Sequence, residues 1–143
     1  MPQREYHFMR LLVWQNAMEL AHHIYAMTSR FPDVELNGMS AQLRRAAMAI
    51  PTRIAEGHGQ LDPSGLLLSL GAARGSLYEV VTLVHLAKQL KFGEAADADR
   101  VEHQAQQVIG RLDGLIAAMQ SASSKRTPPE SRLPAARFDP SAT

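Results

Sequence analysis

Four stretches of the chain repeat apolar residues at the period of an α-helix, and no stretch alternates at the period of a strand. Val13, Ala17, Leu20, Ile24, Met27 and Phe31 are spaced by four or three residues, which places them on one helical face. Trp14, Ala21, Tyr25 and Thr28 widen that stripe. Leu43, Ala46, Ala47, Ile50 and Ile54 form a second stripe. A third runs from Leu66 through Leu70, Ala73, Leu77, Val80 and Val84 to Ala87. The fourth helix is expected from about Ala95 to Ser121, with Val101, Ala105, Val108, Leu112, Leu115 and Met119 inside.

Turn chemistry separates the stripes. Pro32 disfavours helix at Phe31, and Asn37-Gly38 reads as a turn. Ser40 is placed to cap the second helix, and Gly57-His58-Gly59 to end it. Asp62-Pro63 has the chemistry of an N-cap followed by the first helical residue. Phe92-Gly93 closes the third helix. Short connections between four amphipathic helices predict an all-α fold, an antiparallel up-down-up-down four-helix bundle over residues 1–122. From residue 123 the composition shifts to proline and polar residues, which predicts a disordered tail over 123–143.

One residue breaks the rule of its own segment. Pro51 sits in the middle of the second stripe. A proline inside a helix lacks the N–H that would bond the carbonyl four residues back, at a cost of about 3 kcal/mol. The stripe keeps its phase across Pro51, so one kinked helix is expected rather than two. The gain expected from such a kink is shape: a changed helix direction and an outer face that can receive another protein chain or phosphates.

The chemistry that the chain can host is limited. It has no cysteine, which excludes disulfides and thiol catalysis. Glu19 and His22 form a single Glu-x-x-His match, whereas carboxylate-bridged di-iron bundles use two. His58 has no nucleophile or acid partner at a diagnostic spacing. No catalytic residue, metal or cofactor is expected. The N-terminal stretch is broken by charges and lacks the apolar core of a signal peptide, and no membrane partner is expected; a soluble, cytoplasmic protein is the reading.

Net charge is +1, but it is unevenly placed. Arg44, Arg45 and Arg53 gather on the second helix, while Glu94, Asp97, Asp99, Glu102 and Asp113 gather on the fourth. Ordinary solvated faces, an anion-binding stripe and complementary subunit surfaces all fit this pattern. Gly71 and Gly75 share one side of the third helix, which fits tight packing inside the bundle or a subunit interface.

The segments "LVWQNAMELAHHIYAMTSRFP", "QLRRAAMAIPTRIAEGHGQ" and "LGAARGSLYEVVTLVHLAKQL" together resemble the four-helix-bundle family of 23S ribosomal RNA intervening-sequence proteins. They are also similar to the accessory variability proteins of diversity-generating retroelements. Ile50-Pro51, Ile54-Ala55-Glu56-Gly57 and Gly75-Ser76-Leu77 with Glu79 carry most of the resemblance. Arg53 stands where that family usually has asparagine. The resemblance implies a non-enzymatic bundle that assembles into a homo-pentamer and associates with RNA or a ribonucleoprotein. Arg44, Arg45 and Arg53 are then the expected nucleic-acid contacts, and Pro51, Glu56, Gly71 and Gly75 the expected interface positions. A protein-interaction scaffold without nucleic-acid binding is the alternative.

Overall fold

The computed structural model describes residues 6–125, with side chains through residue 122. Four helices make the bundle: α1 (Leu12–Thr28), α2 (Met39–His58), α3 (Pro63–Gln89) and α4 (Ala95–Lys125). Each packs on its neighbours in the order α1, α2, α3, α4, and α4 returns to α1. The buried residues are apolar except for Thr28 and Ser40. Leu20 and Ile24 of α1, Leu43 and Ile50 of α2, Leu77 and Val80 of α3, and Val101 and Val108 of α4 lie fully inside. These are the residues that the helical period selects. The tail expected from residue 123 overlaps the end of α4, and its remainder lies outside the described residues.

The entry to α2 differs from expectation. Gly38, not Ser40, is the N-cap, and Ser40 is buried inside the first turn. The orphan N–H of Met39 is met by the Glu35 carboxylate at 3.1 Å. A Cβ on Gly38 would lie 2.8 Å from that carboxylate oxygen, so glycine makes room for the cap. A carboxylate at a helix N-terminus also suits the helix dipole.

Gly57 is a second correction. It does not end α2 but lies within it, buried against α3. A Cβ there would meet Leu66 Cδ1 at 2.8 Å and Ser69 Cβ at 3.1 Å. Gly57 therefore sets how closely α2 and α3 cross. The cap is Gly59, in right-handed helical geometry with φ −85°.

Asp62 and Pro63 open α3 as their chemistry predicts. The Asp62 carboxylate accepts from the Ser64 N–H at 3.1 Å, and this bond holds its pKa below the ordinary 3.8. α3 closes with a pair of bonds, Lys91 N–H to the Lys88 carbonyl and Phe92 N–H to the Ala87 carbonyl. This is a Schellman ending, with Lys91 at φ 58° in the left-handed position that usually belongs to glycine. Phe92 then packs on Phe31, ring centroids 5.9 Å apart, and so ties this turn to the end of α1.

The acidic residues of α4 face partners within the chain. Asp113 pairs with Arg74 of α3 at 2.7 Å, Asp99 with Lys88 at 2.7 Å, and Glu102 with His85 at 2.9 Å. Asp97 reaches Arg30, beyond the end of α1, at 3.0 Å. The acidic run thus complements its own bundle.

Candidate interaction groove

A trough lies between α1 and α2 on their outer side. Trp14, Met18, Ala21 and Tyr25 line it from α1, and Met48, Pro51 and Ala55 from α2, with Arg44 of α2 lying over the Tyr25 ring at one end. Both sets follow the same four-three-four spacing, which keeps each on one side of its helix. Two concavities, of about 450 and 350 Å³, share Met18, Pro51 and Thr52 and so form one groove. Ala21 and Ala55 keep its floor low. Met18, Tyr25 and Met48 remain 37%, 40% and 45% exposed, which leaves apolar surface open to water.

Pro51 lies at the middle of this groove. α2 runs through it without a break, and Pro51 itself is buried. At the next residue, the Thr52 hydroxyl donates to the Met48 carbonyl at 2.7 Å. At the α1 N-terminal end, the short turn His7–Arg10 folds over the groove. Its Phe8 ring meets Trp14 edge-on at 5.4 Å.

The opposite end is polar. Arg44 donates from Nε to Thr28 Oγ1 at 2.9 Å, and the Thr28 hydroxyl in turn donates to the Ile24 carbonyl at 2.8 Å. The Arg44 guanidinium lies 4.9 Å from the Tyr25 ring centroid, and the Tyr25 hydroxyl contacts Met48 Sδ at 3.2 Å. Arg44 is therefore positioned from two sides.

The seven residues singled out in the sequence do not converge. Arg44 is engaged with α1. Arg53 pairs with Glu56 one turn on at 3.0 Å, a half-exposed pair. Arg45 is exposed and has no polar partner among the described residues. Pro51 and Glu56 line the groove. Gly71 and Gly75 are far from tight packing: a Cβ on either would meet nothing within 4 Å. Of the groove residues, Trp14 and Tyr25 read in the sequence only as edges of the core stripe, and Met18 and Met48 are not singled out there. The repeated four-three-four spacing on both helices was the available signal.

Among the described residues, no three His, Asp or Glu side chains are grouped so that they could hold a metal ion. His23 bonds Gln104 through Nδ1 at 2.7 Å, and His58 donates to the Ile54 carbonyl at 2.8 Å.

The class defined by these features is a four-helix bundle with an open apolar groove between its first two helices. The chain belongs to the family of 23S rRNA-intervening sequence proteins, which matches residues 9–114. Among solved structures, the chain is similar to a protein of unknown function from the S23 ribosomal protein family of Bacteroides thetaiotaomicron. The TM-score is 0.68 at 17% identity, covering 74% of this chain and 96% of that one. No curated protein matches the chain in sequence.

Proposed function

We propose that this protein is a non-catalytic scaffold that assembles with copies of itself through the α1–α2 groove. The open groove carries the reading: Met18, Tyr25 and Met48 stay exposed beside Pro51 on a surface that water does not favour. Methionines also suit a contact surface, because their flexible side chains adapt to a partner. The family resemblance supports a copy number of five, arranged in a ring. Light scattering at micromolar concentration tests the assembly. A mass of several chains supports it, and a concentration-independent monomer refutes it.

A second reading, RNA binding by the assembled scaffold, is favoured by one observation. Arg45 stands exposed on α2 without a partner among the described residues. Repeated around a ring, one phosphate contact per chain gains from avidity. Binding of structured RNA should weaken as salt rises, and Arg45→Ala should flatten that dependence. No binding at low salt by the intact assembly refutes this reading alone.

A further inference from the structure

The outer face of α3 has no partner in the bundle. Pro63–Gln89 reaches a mean hydropathy of 1.3 over 18 residues, of which 28% are buried. By length and composition alone it qualifies as a membrane span, yet one face of it packs in the core of this bundle. Leu68 is 78% exposed on the other side, and Leu86 is 41% exposed. Gly71 and Gly75 lie between them, with open space where side chains would stand.

We infer that this face of α3 seats in the α1–α2 groove of a second copy of the chain. The inference rests on the self-assembly reading above and specifies its contact. Levels along the bundle support it. Gln42 donates to Glu79 at 3.3 Å, and Gly57 backs onto Leu66 and Ser69. Glu79 is thus level with the start of α2, and Leu68 with its end. Rotation about an axis parallel to the helices preserves these levels from copy to copy. The neighbour's α3 then brings Glu79 to the level of Arg44, and Leu68 to the level of Trp14 and Ala55. Its two glycines come level with Met48 and Pro51. Shape fits, because the exposed methionines meet a helix face without side chains in their way.

Charge fits as well. Glu79 is the one acidic residue of α3. The Nε of Arg44 is committed to Thr28, while its terminal nitrogens have no hydrogen-bond partner among the described residues. A fixed guanidinium at one end of an apolar groove sets register against a carboxylate. Groove and α3 face are different surfaces of the same chain, so the contact is head-to-tail and closes into a ring or extends as a filament.

The absence of cysteine allows a direct test. Thr52→Cys marks the groove and Gly75→Cys marks α3. Each variant is treated with a short bis-maleimide alone and after co-expression with the other, and masses are read before and after treatment. Covalent dimers that form abundantly in the co-expressed pair, and in neither variant alone, are the expected result. Cross-linking of Thr52→Cys to itself would place groove against groove and overturn the inference. An assembly of several chains without the mixed cross-link overturns it while leaving self-assembly standing. A monomer overturns both. Leu68→Glu gives an independent check: it should reduce the assembly to monomers at unchanged helix content, and an unaltered mass contradicts the contact.

Discussion

Arg44 lies over Tyr25 with its guanidinium carbon 4.9 Å from the ring centroid, so a residue of α2 is held flat against α1 at the end of the groove. Stacking of this kind contributes about 0.5–1 kcal/mol at exposed sites. The Nε bond to Thr28 adds to it. Lysine keeps the charge but offers neither a planar face nor the same donor. Arg44→Lys is therefore expected to lower unfolding stability by about 1 kcal/mol in urea titrations. A residue that merely supplied positive charge to phosphates would tolerate the change, and unchanged stability would assign Arg44 to that role.

Two helical glycines should respond in opposite directions to alanine. Gly57 lies against Leu66 and Ser69, where a Cβ would be 2.8 and 3.1 Å from its neighbours. Overpacking costs about 1–3 kcal/mol, more than the roughly 1 kcal/mol gained in helix propensity. Gly57→Ala should therefore destabilise the fold by about 1 kcal/mol. Gly114 of α4 has nothing within 4 Å of its missing Cβ, so Gly114→Ala should stabilise by up to about 1 kcal/mol. Chemical denaturation of both variants at one protein concentration reads the contrast.

Much of this architecture is legible in the residues themselves. The stripe from Val13 to Phe31 is buried at every position, and Asp62-Pro63 opens α3 as cap and first residue. Local chemistry decides such features. Features set by how helices cross are not legible in the same way. Gly57 looks like a terminator until Leu66 is placed against it, and Gly71 looks like a packing glycine until its side of α3 faces outward. Lys91 adopts a left-handed conformation that its residue type does not announce. Tyr25 falls within the widened core stripe of α1, yet it is 40% exposed at the edge of the groove, between Arg44 and Met48. The groove exists only once two helices are positioned.

Asp62 gives the fold an acid-sensitive element. Its bond to the Ser64 N–H holds the folded-state pKa below 3.8. A depressed carboxyl pKa contributes stability that is fully present above the unfolded value and is lost as pH falls through the folded one. The contribution of Asp62 should thus be constant at neutral pH and fade below about pH 4. Asp62→Asn keeps a capping oxygen without the charge, so its thermal midpoint should converge with that of the intact chain in acid. A gap between the two that stays constant from pH 7 to pH 3 would contradict this.

Pro51 exchanges helix stability for a surface. An interior proline is about 3 kcal/mol less favourable than alanine, while the buried ring returns part of that through packing. Pro51→Ala restores an N–H facing the Ala47 carbonyl and removes the ring from the groove. Helix content by circular dichroism should be retained or rise, and unfolding should shift upward by about 1 kcal/mol at protein concentrations too low for assembly. Assembly should weaken at the same time. Higher stability with unaltered assembly would make Pro51 a local defect that the bundle tolerates.

Met48 offers the most direct measurement, since it is 45% exposed and is not among the buried residues of the core. Met48→Glu places a charge in the apolar groove while leaving the bundle interior intact. Light scattering of the intact chain and of Met48→Glu, at equal micromolar concentration, separates groove-mediated assembly from every other arrangement. The intact chain should show the mass of several copies, and Met48→Glu the mass of one, with the same helix content. An intact chain that is already monomeric, or a Met48→Glu chain that keeps the full assembly mass, would contradict the groove as the surface through which this protein works.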